Sequence, residues 1–195
     1  YLASAGVGTI TLVDDDMVDL TNLQRQIAHT TARIGQPKVS SCATAMHEIN
    51  PHVVVNTVSE RMNEASLIAL ISNATVVLDC TDNYRTRHAI NAACVAQRKP
   101  LVSGAAIRFD GQISVFDRSR TGTPCYACLF SPEEQFEEIS CSTMGVFSPL
   151  VGIIGAMQAA QALQVLIGFG QPLVGRMLLW NALNTQIDEI RISRN

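Results

Sequence analysis

The chain has no second CxxC. Cys125-Tyr-Ala-Cys128 stands alone, with a single Cys141 after it. A closed structural zinc site takes four ligands, usually as two such pairs. Either the second pair lies beyond Asn195 or the site is not zinc. Charge is scarce as well. Only 16% of residues are charged, the net charge is −3 and the pI is about 5.8. That leaves no broad basic footprint for nucleic acid or an anionic membrane, so the basic residues that matter act locally. Six cysteines in 195 residues do not make a disulfide scaffold. Cys42, Cys80 and Cys94 lie in apolar, element-like stretches and read as buried small hydrophobes. The pattern suits a reducing, cytoplasmic compartment, and no segment reads as a signal peptide. His29, His47, His52 and His88 show no ligand spacing and are expected on the surface or in polar packing. Internal repeats and low-complexity linkers are missing, so one domain over 1–195 is expected. An initiating Met is missing too: the chain opens at Tyr1 in what reads as the last turns of a helix, and we expect a domain truncated at both ends.

What is present is apolar sequence. The hydrophobic fraction of 47% suits a large α/β core and excludes a disordered chain. Gly145 to Gly170 is long and apolar enough to raise the question of a membrane. Gln158, Gln161 and Gln164 keep one polar stripe on a helix there, and Pro149 and several glycines break the run. A core or subunit-interface helix is the better reading. Its greasy surface from Phe147 to Phe169 exceeds what one small sheet covers, which predicts a homodimer.

Thr9 to Val13 reads as a buried strand ending in Asp14-Asp15-Asp16, and residues 17 to 36 as loop. Pro37 opens a helix to about Ile49, since proline suits the first helical position. Val53 to Val58 is a second strand. Ala65 to Ile71 is a short helix capped by Asn63. Thr75 to Asp79 is a third strand, followed by a helix from Tyr84 to Gln97 and a fourth strand from Leu101 to Ser103. A fifth, Gln112 to Phe116, follows a tight-turn signal at Asp110-Gly111. The cysteine segment is loop-like and Glu133 to Glu138 is an acidic, solvated stretch. Met177 to Trp180 and Ile187 to Ile192 are late strands. Strand–helix alternation through residue 103 implies βαβ units. The expected fold is therefore Rossmann-like α/β, mostly parallel, with an antiparallel extension and without the first βα unit.

Ligands of open α/β sheets bind off the carboxyl ends of strands. Two such ends carry acids, Asp14 and Asp82. Asp14 suits ribose hydroxyls; the alternative is a solvated Asp triplet in a turn. The Gly-rich phosphate loop that should precede it by about twenty residues is missing, with only a few residues before it. Arg25 offers a planar fork for phosphate, and Lys38 a mobile charge at a helix N-terminus. Asp82 suits Mg²⁺, or caps the helix from Tyr84. Cys125 and Cys128 read as half a zinc knuckle. Cys141 is a nucleophile or an incidental thiol.

Three segments then stand out: Asp14-Asp-Asp-Met-Val-Asp-Leu-Thr-Asn-Leu-Gln-Arg-Gln26, Gly35-Gln-Pro-Lys38 and Leu78-Asp-Cys-Thr-Asp-Asn83. Together with Ser103-Gly-Ala-Ala106, Gly111-Gln112, the CxxC and Cys141 through Gly155, they resemble the ubiquitin-activating-like adenylyltransferases. The likeness is nearest to the bacterial ThiF-type enzymes that adenylate sulfur-carrier proteins for molybdopterin or thiamine synthesis, and it covers essentially the whole chain. The resemblance implies that Asp14 binds the ATP ribose. It implies that the segment Thr21, Asn22, Leu23, Gln24 and Arg25, with Lys38, holds the phosphates. Asp82 would sit at Mg²⁺ and the α-phosphate with Asn83 beside it, Cys125 and Cys128 would be two of four Zn²⁺ ligands, and Cys141 would match a thioester- or persulfide-forming cysteine. The implied partner is a ubiquitin-like sulfur-carrier protein ending in Gly-Gly. Three rivals remain: an NAD-dependent oxidoreductase, a tRNA-modifying ATP-dependent dehydratase of the same superfamily, and a non-catalytic subunit. Arg25, Lys38 and the cysteine pair disfavour the first. The acidic pI disfavours the second, and the complete set Asp14, Arg25, Lys38 and Asp82 disfavours the third.

Overall fold

The computed structural model describes residues 1–133 and 145–194. Cys141 and most of the acidic stretch from Glu133 lie outside the described residues. The chain forms two compact units, Tyr1–Met62 and Asn63–Asn195.

The first unit is one βαβ crossover. Tyr1 to Val7 ends like a helix: Gly6, at φ +84°, donates its N–H to Ala3 O, and Val7 N–H reaches back to Leu2 O. That paired pattern around a left-handed glycine is a Schellman motif. β1 (Thr9–Val13) pairs in parallel with β2 (Val54–Val58), Thr9 facing Val54 and Val13 facing Val58. β1 is not buried as its sequence suggests. It alternates exposed and half-buried residues, with Val13 41% exposed. α1 (Lys38–Ile49) makes the crossover. Pro37 stands one place earlier than expected, at the N-cap, where its missing N–H costs nothing. The loop between β1 and α1 contains two 3₁₀ turns, Leu20–Asn22 and Thr31–Arg33. Ala3, Val18, Val39 and Val53 are buried.

The second unit is a five-stranded sheet in the order β3 (Val77–Asp79), β4 (Leu101–Ile107), β5 (Asp110–Phe116), β6 (Arg176–Asn181), β7 (Gln186–Arg191). β3 and β4 are parallel and joined through α3 (Tyr84–Ala96); the remaining neighbours are antiparallel. The expected α/β fold with a parallel part and an antiparallel extension is thus present. The tight turn is not at Asp110-Gly111. Ile107 pairs with Asp110, so Arg108 and Phe109 make the two-residue turn, with Arg108 at φ +50°. The strands continue to the hairpin, with Ala105 facing Gln112 and Ala106 facing Gly111. Asn63 caps α2 (Glu64–Ser72) by accepting Ser66 N–H at 2.9 Å, as its position suggested.

On one face α2 and α3 enclose a core of Ile71, Ile90, Ala93, Cys94, Leu101, Phe116, Tyr126, Met177 and Ile192. On the other lies α4 (Ser148–Ile167). It is long and apolar enough to cross a membrane by length and composition alone. Pro149 does not break it, because it falls in the first turn, and the helix runs on through Gly152 and Gly155 to a left-handed Gly168. Leu150, Ile154 and Gln158, four residues apart, form its buried stripe. Burying a side chain like Leu150 contributes roughly 1.5–3 kcal/mol. α4 approaches so closely because Gly104 and Gly111 lack side chains: a Cβ would lie 2.4 Å from Gln158 Cδ and 2.8 Å from Ile154 Cδ1, respectively.

Candidate functional site

The first unit carries Asp14, the Thr21–Arg25 segment and Lys38. Asp14 N–H extends the parallel ladder to Val58 O, and its Oδ1 accepts Asp16 N–H at 2.9 Å. The chain turns sharply there, so that carboxylate oxygens of Asp14, Asp15 and Asp16 lie within 4.8 Å of one another. A clasp closes the following loop. Val18 N–H bonds Gln36 O, Gly35 N–H bonds Val18 O, and Lys38 N–H bonds Asp16 O. Lys38 Nζ meets Asp16 Oδ2 at 2.6 Å, its side chain only 12% exposed. Lysine carries three donors, so this ion pair leaves capacity for an anion.

Thr21 and Asn22 build a turn. Asp19 Oδ1 accepts from Thr21 N–H and Oγ1, at 2.8 and 2.6 Å, while Asn22 Oδ1 accepts Asp19 N–H at 3.1 Å. This is a capping box. The Thr21 bonds hold Asp19 below the usual carboxylate range. Arg25, half-buried, leans back on this turn through Nη1 to Thr21 O at 3.1 Å. Leu23 is half-buried and Gln24 exposed. His29 is 8% exposed, its Nδ1 2.8 Å from Ser41 Oγ. Arg33 donates to Ser41 O at 2.7 Å. Burial first, then the charges of Lys38 and Arg33, pushes the His29 pKa below 6.5. A neutral His29 therefore fastens the loop to α1.

The second unit carries Asp82, Asn83 and the cysteine pair. Asp82 is exposed and does not cap α3. Asn83 caps it, its Oδ1 accepting Thr86 N–H at 2.9 Å, which leaves the Asp82 carboxylate free of that duty. Asp82 lines a cavity of about 500 Å³ together with Tyr84, Arg87, Phe130 and a row of residues across four strands. The register Ala105–Gln112–Leu179–Asp188 makes that row. Arg87 was not singled out from sequence. It is 8% exposed and directs both Nε and an Nη to Thr81 O. Its position one turn into α3, after a capping asparagine, was the only available signal.

Cys125 and Cys128 flank a 3₁₀ turn, with Sγ atoms 3.6 Å apart. Two thiolates each about 2.3 Å from one tetrahedral zinc lie about 3.8 Å apart, so the spacing suits two ligands of one ion. Tyr126 anchors the turn. It is 1% exposed, its N–H bonds Asn91 Oδ1 at 2.9 Å, and its ring packs against Phe116, Phe130 and His88. Of the other cysteines, Cys94 is buried, with its thiol pushed up to about 12 chiefly by burial. Cys42 is intermediate. Cys80 is exposed as a residue, because the chain leaves the sheet at Asp79, but its thiol turns inward to Gln158 Oε1 at 3.7 Å and burial pushes it up to about 11.

Acids at two strand ends, a basic helix start and a mixed sheet define a Rossmann-like α/β protein of the kind that binds at strand carboxyl ends. The fold is shared by E. coli MccB solved with ATP: TM-score 0.84, 18% identity, covering all of this chain and 59% of that one. The chain belongs to the ThiF family, which it matches over residues 1–195. It is 47% identical to the molybdopterin-synthase adenylyltransferase of Escherichia coli K12, covering all of this chain and 78% of the relative. It is 42% identical to the adenylyltransferase and sulfurtransferase MOCS3 of Drosophila grimshawi, covering 98% of this chain and 43% of that protein.

Proposed function

We propose that this chain adenylates the C-terminal carboxylate of a ubiquitin-like sulfur-carrier protein ending in Gly-Gly, for molybdopterin biosynthesis. The observation that carries the reading is the 47% identity over the full chain to a molybdopterin-synthase adenylyltransferase. The carrier carboxylate attacks the α-phosphorus of ATP, giving carrier-AMP and pyrophosphate. A carboxylate is already ionised at neutral pH, so no general base is required. The obstacle is repulsion between the two anions. Arg25 and Lys38 neutralise the phosphates as charge builds. Asp14 takes the ribose hydroxyls, and Asn22 helps to hold the phosphates. Asp82 would hold Mg²⁺, which would supply further positive charge during the transfer.

Arg87 and the row Ala105–Gln112–Leu179–Asp188 beside Asp82 form the floor on which we place the carrier tail. Zn²⁺ would be held by Cys125 and Cys128 with two further ligands, as a structural cross-link. Cys141 would form the thioester linkage, its thiolate attacking the carrier adenylate and displacing AMP. The protein would work as a cytoplasmic homodimer joined through α4, with neither a membrane nor a nucleic acid as partner.

The test is ATP–pyrophosphate exchange by the full-length protein with carriers ending in Gly-Gly. Exchange that depends on the intact tail supports the reading, and exchange with none of them sinks it.

A further inference from the structure

The turn that presents Asp82 is gripped by several groups that, Arg87 apart, take no part in the chemistry above. Asp79 is 1% exposed. Its Oδ1 accepts Thr81 N–H at 3.0 Å and Thr81 Oγ1 at 2.7 Å, and its Oδ2 accepts Ser103 Oγ at 3.3 Å. Its backbone carbonyl accepts Gln158 Nε2 at 2.8 Å. Gln158 is 4% exposed, sits on the sheet-facing stripe of α4 below Leu150 and Ile154, and also reaches Val102 O at 3.4 Å. Gly104 is the residue that makes room for it. Arg87, on α3, donates through Nε and an Nη to Thr81 O.

Burying a carboxylate and an amide costs free energy unless every polar atom is satisfied, and a hydrophobic side chain at 158 would pack a core without that cost. Neither Asp79 nor Gln158 lines the cavity beside Asp82. What the bonds fix is the path of three residues, Cys80 to Asp82.

We propose that Gln158 and Asp79 are positioning residues for adenylyl transfer. They lock the turn after β3 so that the Asp82 carboxylate is aimed before substrate arrives. The inference rests on the adenylation reading above, and it assigns a polar side chain of α4 to the site that helix does not touch. Preorganisation of this kind acts on the barrier more than on binding.

Gln158→Met keeps the volume and removes the donor. Thr81→Val keeps the shape and removes the hydroxyl, and Thr81→Ser restores it. In the full-length protein with its carrier, Gln158→Met and Thr81→Val are expected to lower the kcat of pyrophosphate exchange roughly 10- to 100-fold. KM for ATP should stay within about twofold and Thr81→Ser should recover most of the rate. The Thr81 amide, bonded to Asp79 Oδ1, should lose hydrogen-exchange protection about tenfold in Gln158→Met, while the amides of β5 keep theirs. Unchanged kcat with unchanged protection in both variants overturns the inference while leaving the adenylation reading intact. If Gln158→Met fails to fold, Thr81→Val at wild-type kcat overturns it alone. Wild-type protein without exchange activity overturns both.

Discussion

Lys38, which we propose acts on the phosphates, is already paired with Asp16. Its bond to Asp16 is short, but Asp16 is largely exposed, and such ion pairs are worth only about 0–1 kcal/mol. The pair orients the ammonium more than it stabilises the fold. Lys38→Ala and Arg25→Ala should therefore leave thermal unfolding nearly unchanged. Each should cost about 10²–10³ in kcat of pyrophosphate exchange, like the loss of one preorganised donor. Rates within twofold of wild type in both variants would remove these residues from the site. His29 gives a pH signature. Its folded-state pKa is lowered, so between that value and the ordinary 6.5 the unfolded chain binds the extra proton. Stability is then full above about 6.5 and is lost as pH falls. His88, also lowered by burial, adds in the same sense. The melting temperature should drop between pH 7.5 and 5.5, and His29→Gln should flatten part of that slope. An unaltered slope would mean that His29 is not held neutral.

The two asparagine caps separate stability from function at the level of the element. Asn63→Ala and Asn83→Ala should each cost about 1 kcal/mol, read from denaturant midpoints. Only Asn83→Ala should also slow exchange, because that cap adjoins the turn carrying Asp82. Equal activity in both variants would argue that the turn is not functional. These caps also mark what could be read from sequence. Asn63 before an apolar run announced its helix, as did the β-branched stretches of β1 and β2. Asn83 was harder, because Asp82 beside it is an equally good capping residue by type, and only geometry chooses between them. The hairpin at Arg108–Phe109 was hidden by Asp110-Gly111, a stronger turn signal. Gly111 instead serves the close approach of Ile154. Gln158 was the least legible residue. A glutamine in an apolar helix reads as the wet side, and its partner, the Asp79 carbonyl, is 79 residues away in the chain.

At the scale of the molecule, fold and family agree, since the mixed sheet and the full-length ThiF match describe one kind of protein. Zinc follows from the cysteine pair as a prediction. Full-length protein should hold one zinc per chain by elemental analysis, and replacing both Cys125 and Cys128 by serine should abolish it. Zinc retained at full stoichiometry would place the ion elsewhere. The most direct test of the account is isotope exchange between pyrophosphate and ATP, with wild-type full-length protein and a carrier ending in Gly-Gly. We predict exchange that requires the carrier's terminal carboxylate and falls at least about a hundredfold in Lys38→Ala. Exchange indifferent to the carrier tail, or undiminished without Lys38, would contradict it.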